Sequence, residues 1–173
     1  MELFNENHKL VSVIHRDHSL LPVINRLGVK LGFGDLTISE ICKKEGIDVD
    51  FFVEIVNVFH YEAYFPEHRL LELPVTHVVE YLIKTHEYYR KYLIPEIERV
   101  LDLFLKSCSG GCAESELIRN FYDKFQNECI AHFRTEELEE FPYILELSNL
   151  IDRNGDKENF IKKYSSFAMR NFE

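Results

Sequence analysis

Apolar residues in this chain recur mostly at steps of three and four positions, and strict alternation of apolar and polar residues is scarce. Such steps place apolar side chains on one face of a helix, so the pattern predicts an all-α fold. Only seven Gly and five Pro residues interrupt the chain. We predict a small N-terminal helical domain over residues 1–73 and a second helical domain over residues 74–173.

The N-terminal region is expected to contain short helices and to end in an irregular segment. An apolar stripe with helical spacing runs through residues 4–27, and Pro22 is expected to interrupt it. Residues 60–73 show no clean period, which indicates a linker before the second domain.

Two short helices joined by a turn are predicted between these segments. Thr37 or Ser39 is suited to cap the first helix, which Gly46 is expected to end. Asp48 or Asp50 is suited to cap the second helix. A helix pair of this kind resembles a helix-turn-helix unit of DNA-binding proteins, but it is also typical of a small packing domain.

In the C-terminal region, the spacing of apolar residues predicts three helices. The first runs from Pro74 to about residue 106, the second from about 114 to 140, and the third begins at about 157. Proline is well tolerated in the first turn of a helix, which makes Pro74 a good starting residue. Pro95 lies inside the first helix and predicts a kink near residues 91–95. Pro142 is expected to bend or interrupt the second helix.

Composition narrows the classes of function. The 173 residues include 20 Lys and Arg against 30 Asp and Glu, for a net charge of −10. Phosphate groups are bound largely through Lys and Arg, so nucleic-acid partners and anionic membranes are disfavoured. No apolar run approaches the roughly 18 residues that span a bilayer, and no secretory signal is visible, so we expect a cytoplasmic protein. No phosphate-binding loop or nucleophile motif is present, and no catalytic residue is assigned.

The four cysteines do not indicate a disulfide framework in a cytoplasmic chain of this size. Cys42 and Cys129 occupy apolar helix faces and are expected to be buried. Cys108 and Cys112 lie in a glycine-rich turn, and their spacing differs from the Cys-x-x-Cys of zinc and redox motifs. We expect these two thiols to be exposed.

Three polar residues interrupt the apolar stripes of the long helices. His132 and Glu136 are four positions apart, so they share one helix face. His86 follows Leu82 by four positions and precedes Tyr89 by three, which places it on the apolar face of the preceding helix. A hydrogen-bonded core histidine explains each His taken alone. Two inward imidazoles with a carboxylate also suit an iron or manganese site between helices, because a buried carboxylate needs a cation partner.

The sequence around these residues resembles the hemerythrin-like cation-binding domains. Residues 132–142, His-Phe-Arg-Thr-Glu-Glu followed by Phe-Pro, are similar to the family's H-x-x-x-E-E…F-P motif. The stretch 81–96 is similar to the first bundle helix of the branch implicated in repair of iron–sulfur centres under nitric oxide or oxidative stress. The N-terminal region resembles the small helical domain that precedes the bundle in that branch, through Leu21-Pro22, Leu36-Thr37, Ile41-Cys42 and Gly46-Ile47-Asp48.

The resemblance implies a four-helix bundle with a non-haem di-iron centre that handles oxygen, nitric oxide or iron. His86 and His132 would bind iron as neutral imidazoles, and Glu136 would bind or bridge. Glu87 stands where the family has a second His, and it is a further candidate ligand together with His77. The implied partners are the metal ion and an iron–sulfur client protein.

Two departures from the family pattern change these expectations. Relatives carry a Cys-Cys-Gly-Gly segment where this chain has residues 32–35, Gly-Phe-Gly-Asp, so thiol chemistry is not expected there. No His follows His132, so one chain offers half of a di-iron site and an incomplete bundle. Three explanations stay open. A longer natural protein supplies the missing C-terminal half, two copies pair as a homodimer, or the site is vestigial. In the last case the chain is a metal-free regulatory or interaction module, with DNA as one partner to consider.

Overall fold

The computed structural model describes residues 2–107, 113–153 and 156–171. Within these ranges the regular elements are helices, apart from an isolated antiparallel bridge between Lys9 and Thr37. The prediction of an all-α fold is therefore confirmed. No helix in the described part of the chain is long and apolar enough to cross a membrane.

The chain divides into two compact units, Met1–Tyr81 and Leu82–Glu173. The boundary predicted from the sequence lies earlier, just before Pro74. The first unit extends beyond that proline because Leu73 and Tyr81 are both buried in its hydrophobic core.

Short helices make up the first unit. They are α1 (Leu10–Arg16), a 3-10 turn (His18–Leu20), α2 (Leu21–Arg26), α3 (Ile38–Glu45), α4 (Val49–His60), α5 (Glu67–Leu70) and the beginning of α6 (Val75–Tyr88). Their apolar faces enclose one core, whose fully buried side chains include Leu10, Leu20, Ile24, Ile38, Ile41 and Phe52. The predicted linker thus contains a short helix and ends inside this core.

The first apolar stripe breaks at Asp17 rather than at Pro22, which corrects the prediction. Asp17 is extended, and its carboxylate accepts a hydrogen bond from the backbone N–H of Ser19 at 2.9 Å. Pro22 lies in the first turn of α2, where its missing N–H leaves no helical hydrogen bond unmade. Asp17 therefore ends one helix and caps the next turn.

The predicted pair of short helices is present, and the structure selects one cap from each pair of alternatives. Thr37 caps α3 by accepting a hydrogen bond from the N–H of Glu40, whose carboxylate accepts one from the N–H of Thr37. Gly46 ends α3 at φ 69°, in the left-handed region that favours glycine. Asp48 caps α4 by accepting a hydrogen bond from the N–H of Phe51 at 2.8 Å.

Helix α4 lies largely inside the first unit. Six of its twelve residues are buried: Phe51, Phe52, Val53, Glu54, Val56 and Asn57. The buried Glu54 forms an ion pair with Arg69 at 2.6 Å and accepts a hydrogen bond from Tyr64 at 2.8 Å. Helix α4 therefore supplies a large part of the core of the first unit.

Two long helical segments and a shorter helix make up the second unit. The first segment consists of the end of α6, a π-helical turn (Tyr89–Leu93) and α7 (Ile94–Ser107). The second consists of α8 (Ala113–Thr135), a π-helical turn (Glu136–Glu140) and α9 (Phe141–Arg153). The final helix, α10 (Lys157–Asn171), begins where the sequence predicts it.

Each π-helical turn lies immediately before a residue–proline pair. The N–H of Ile94 donates to the carbonyl of Tyr89, and the N–H of Phe141 donates to the carbonyl of Glu136. Proline has no N–H, and in a regular helix its ring clashes with the carbonyl four residues earlier. A turn widened by one residue relieves that clash. The structure thus interrupts the regular helix with a π-helical turn near each of the two prolines.

The segments α7 and α8 run antiparallel and form a hairpin. The hydroxyl of Tyr122 donates to the carbonyl of Ile94 at 2.9 Å, and these two residues mark the line of contact. Arg119 forms an ion pair with Asp102 near the same line. Further along, α10 packs against α9.

Much of the apolar stripe that was predicted to face inward on α8 is exposed. Tyr122 is buried as predicted, but Leu117, Phe121 and Phe125 are exposed. A helix packed on a single neighbour buries only a narrow part of its circumference. The helical spacing predicted an inward face, and the described residues leave this face of the hairpin uncovered.

Candidate functional site

His86 is the buried polar residue of the second unit around which a cluster of charged side chains is built. It lies near the end of α6, and only 5% of its surface is exposed, so the prediction that it points inward is confirmed. Its ring stacks on Phe133, with centroids 4.2 Å apart and planes 18° apart. Phe141 lies nearly parallel to the same ring at 5.8 Å. These aromatic rings fix the plane of the imidazole.

Both nitrogens of His86 face carboxylates from the second helical segment. Its Nε2 lies 3.0 Å from Oε2 of Glu136, and its Nδ1 lies 2.9 Å from Oε1 of Glu137. An ionised carboxylate only accepts hydrogen bonds, so both contacts are hydrogen bonds when the imidazole carries a hydrogen on each nitrogen. The two glutamates begin the π-helical turn that precedes Phe141, and they approach the ring from two directions.

Glu137 is also held from the first segment by Arg90. The Arg90 Nη2 lies 2.8 Å from Oε1 of Glu137, the same oxygen that faces His86. Burial raises the pKa of Glu137, but the hydrogen bonds from Arg90 and His86 outweigh burial and hold that pKa below its ordinary value. Glu137 is therefore an ionised acceptor that orients the imidazole.

Glu136 joins the buried histidine to an exposed one. Its Oε1 lies 3.1 Å from Nε2 of His132, one turn earlier on α8. The side chain of His132 is 64% exposed, which corrects the prediction that it points into the interior. We call the five residues Arg90, Glu137, His86, Glu136 and His132 the interhelical cluster. The structure thus brings together the three residues that the sequence singled out first.

The two further candidates lie elsewhere. The side chain of Glu87 is 53% exposed and pairs with Lys91 at 3.5 Å, because it follows His86 directly and points to another side of the helix. His77 belongs to the first unit, where its ring lies 5.7 Å from that of Phe51. Its Nδ1 is buried without a hydrogen-bond partner among the described residues.

Arg90 and Glu137 are members of the cluster that the sequence pattern did not predict. Arg90 follows His86 by four positions, and Glu137 follows Glu136 directly, so both signals were present in the sequence. No role of its own was predicted for Glu137 beyond its place in the Glu-Glu motif. A periodicity of 3.6 residues does not describe the π-helical turns in which both side chains lie.

The side chains of the cluster are of the types that bind a transition-metal ion. In the structure they are arranged as a network of ion pairs. Two imidazoles with one carboxylate are a ligand set of non-haem iron sites. The 3.0 Å and 3.1 Å contacts on the two sides of Glu136 have the lengths of hydrogen bonds and ion pairs. Within the described ranges, no group of three or more His, Cys, Asp or Glu is placed to hold a metal ion.

The thiols take no part in this cluster. Cys42 is buried in the first unit as predicted, and burial, together with the charge of Asp48, raises the pKa of its thiol to about 12. Cys129 is partly buried on α8, so its predicted burial is only partial. Cys108 and Cys112 lie outside the described residues.

The chain matches no protein-family model, no curated protein and no solved structure. The resemblance to hemerythrin-like domains rests on the motif residues themselves and stays a prediction.

Proposed function

We propose that this chain binds a divalent transition-metal ion, with ferrous iron as the expected one, through His86, His132 and Glu136. The observation that supports the proposal is the position of the Glu136 carboxylate, which contacts one imidazole at 3.0 Å and the other at 3.1 Å. The three side chains come from two helices and form a two-histidine, one-carboxylate set.

The remaining members of the interhelical cluster support the same role. Metal-bound histidines commonly donate their second ring N–H to a carboxylate, which fixes the tautomer and the ring orientation. Glu137 is placed to accept such a hydrogen bond from Nδ1 of His86 and is itself held by Arg90. That arrangement leaves Nε2 of His86 for the metal.

Metal binding requires a local rearrangement. The Glu136 carboxylate must move from between the two imidazoles, and His132 must turn toward Nε2 of His86. His132 has room to turn because most of its side chain is exposed. A metal ligand must be deprotonated at the binding atom, so metal binding competes with protons and weakens as the pH falls.

The wider role that we propose follows from the resemblance alone. A hemerythrin-like iron protein in the cytoplasm would handle oxygen, nitric oxide or iron, and would protect or repair iron–sulfur centres of a client protein under stress. A di-iron site needs ligands beyond the three supplied here.

The experiment is iron content per chain after anaerobic loading with ferrous iron and desalting. We expect about one iron per chain for the native protein, and a large loss for His132→Ala, whose exposed side chain can be removed without opening the core. His15→Ala removes another exposed histidine, in the first unit, and should retain iron. A folded native chain without iron, or equal iron in both variants, would contradict the proposal.

A metal-free interaction module is the second candidate. It is favoured by the apolar side chains that remain exposed on α7 and α8. A chain that retains no metal but associates through these helices would support this candidate instead.

A further inference from the structure

The hairpin of α7 and α8 carries an exposed apolar surface. On α7 and the turn before it, the exposed residues recur at steps of four, three and four, which is one face of a helix. On α8 the exposed apolar residues also lie on one face of the helix. We call this surface the apolar face, and its members are Leu93, Ile97, Val100, Phe104, Leu117, Ile118, Phe121 and Phe125.

Both stripes lie on the same side of the hairpin. Each residue of an α-helix is rotated by about 100° from the one before it. Measured around the α7 axis from Ile94, which contacts α8, Asp102 lies about 80° to one side and Ile97 about 60° to the other. Measured around the α8 axis from Tyr122, which contacts α7, Arg119 and Phe125 lie about 60° to opposite sides. Equal rotations away from the contact line of an antiparallel pair point to the same side. The Asp102–Arg119 ion pair therefore occupies one side of the hairpin and the two apolar stripes form a continuous surface on the other.

The area of this surface is that of a protein–protein interface. Its members are between 38% and 72% exposed. Taking roughly 200 Å² for a fully exposed residue of this size, the exposed area is roughly 800 Å². The largest apolar patch of a typical monomer is roughly 300–600 Å². A stable interface buries about 800 Å² on each partner.

We propose that the apolar face packs against the same face of a second copy of this chain, giving a two-fold symmetric bundle of four helices. A two-fold interface uses one patch twice, so the patch must be complementary to itself. The α7 stripe is mainly aliphatic, at Leu93, Ile97 and Val100, and the α8 stripe presents Phe121 and Phe125. A two-fold axis that sets α7 of one copy against α8 of the other pairs aliphatic with aromatic side chains on both sides.

The charges beside the apolar face permit this contact. A chain with a net charge of −10 repels its own copies unless the local charges are balanced. Glu96 pairs with Arg99 at 2.6 Å, and Lys124 pairs with Glu128 at 3.8 Å, each within its own helix. These two pairs therefore add no net charge beside the face. The proposal does not rest on metal binding, because the apolar residues alone supply the contact.

The test is the mass of the full chain in solution, measured by sedimentation equilibrium across a hundredfold range of concentration. We expect twice 20.6 kDa at the higher concentrations. Phe121→Glu and, separately, Val100→Glu place a charge on the α8 and α7 stripes and should each weaken the dimer at least about 100-fold. Leu31→Glu alters a residue that is 76% exposed in the first unit and should leave the dimer intact.

Circular dichroism separates loss of association from loss of fold, and both stripe variants should keep the helical spectrum. A native chain that stays at 20.6 kDa throughout would overturn the proposal, as would a dimer that both stripe variants leave unchanged. Iron content measured on the same samples shows whether the metal site survives independently of the dimer.

Discussion

The Nε2 atom of His86 lies 3.0 Å from the Oε2 atom of Glu136, and this contact joins the two long helical segments of the second unit. Glu137 makes the matching contact on the other ring nitrogen. A buried imidazole between two carboxylates ties the helices together, and it also assembles the donor groups of a cation site. Stability and binding measurements separate these two roles.

His86→Ala should lower the free energy of unfolding of the protein by about 2–3 kcal/mol. The substitution leaves two partly buried carboxylates without their shared partner and opens a cavity beside Phe133. Urea titration monitored by circular dichroism measures the change. Glu87→Ala, at the next position and exposed, should alter the free energy by less than about 0.5 kcal/mol. Equal effects of the two variants would show that the cluster does not stabilise the fold.

Glu137 should make the stability of the second unit fall at acid pH. Its pKa is lower in the folded protein than its ordinary value of 4.5 because Arg90 and His86 donate hydrogen bonds to it, which outweighs the opposing effect of burial. The stabilisation is therefore fully present above about pH 4.5 and is lost as the pH falls through the lower folded value.

Denaturant titrations at several pH values between 7 and 3 measure how the free energy of unfolding falls with pH. Glu137→Gln should be less stable at pH 7 and should show a shallower fall, since glutamine does not titrate. A variant that falls as steeply as the native chain would place the acid sensitivity elsewhere, for example at Asp17, whose pKa is lowered by hydrogen bonds from His60 and Ser19.

Cys42 should be almost inert toward iodoacetamide in the folded protein at pH 8. Alkylation needs the thiolate, and burial together with Asp48 raises the pKa of this thiol to about 12. Cys129 is partly exposed and should react faster. Mass spectrometry of tryptic peptides after timed labelling compares the two sites, and denatured protein shows that both peptides can be labelled. Equal rates in the folded chain would contradict the burial of Cys42.

Gly46→Ala should destabilise the first unit by about 1 kcal/mol. The backbone at Gly46 has φ 69°, which strains a residue with a side chain, although the added methyl group meets no atom within 4 Å. Lys44→Ala, an exposed position in the same helix, should change stability little. A Gly46→Ala protein as stable as the Lys44→Ala protein would show that the left-handed cap does not limit α3.

Local signals in the sequence predicted most of the helices because they act over a few residues. Thr37, Gly46 and Asp48 cap or end helices through bonds to their near neighbours, and each proline follows a π-helical turn. The break at Asp17 was missed because an extended residue that caps the next turn leaves no gap in the apolar pattern. The period also placed His86 inside.

The helical period predicted fewer of the residues of the candidate site. Arg90 and Glu137 lie in π-helical turns, where a period of 3.6 residues no longer tells which side chains face a neighbouring helix. His132 lies on an apolar stripe with Phe125, so the period predicted burial. A periodic pattern shows which residues share one face of a helix. It does not show whether another element covers that face, and among the described residues this stripe is exposed.

The iron-edge X-ray absorption spectrum of the loaded protein tests the metal site most directly. The account predicts nitrogen and oxygen donors at about 2.1 Å, with scattering from two imidazole rings that falls to one ring in His132→Ala. A spectrum without imidazole scattering, or one that the substitution leaves unchanged, would contradict a site built from His86, His132 and Glu136.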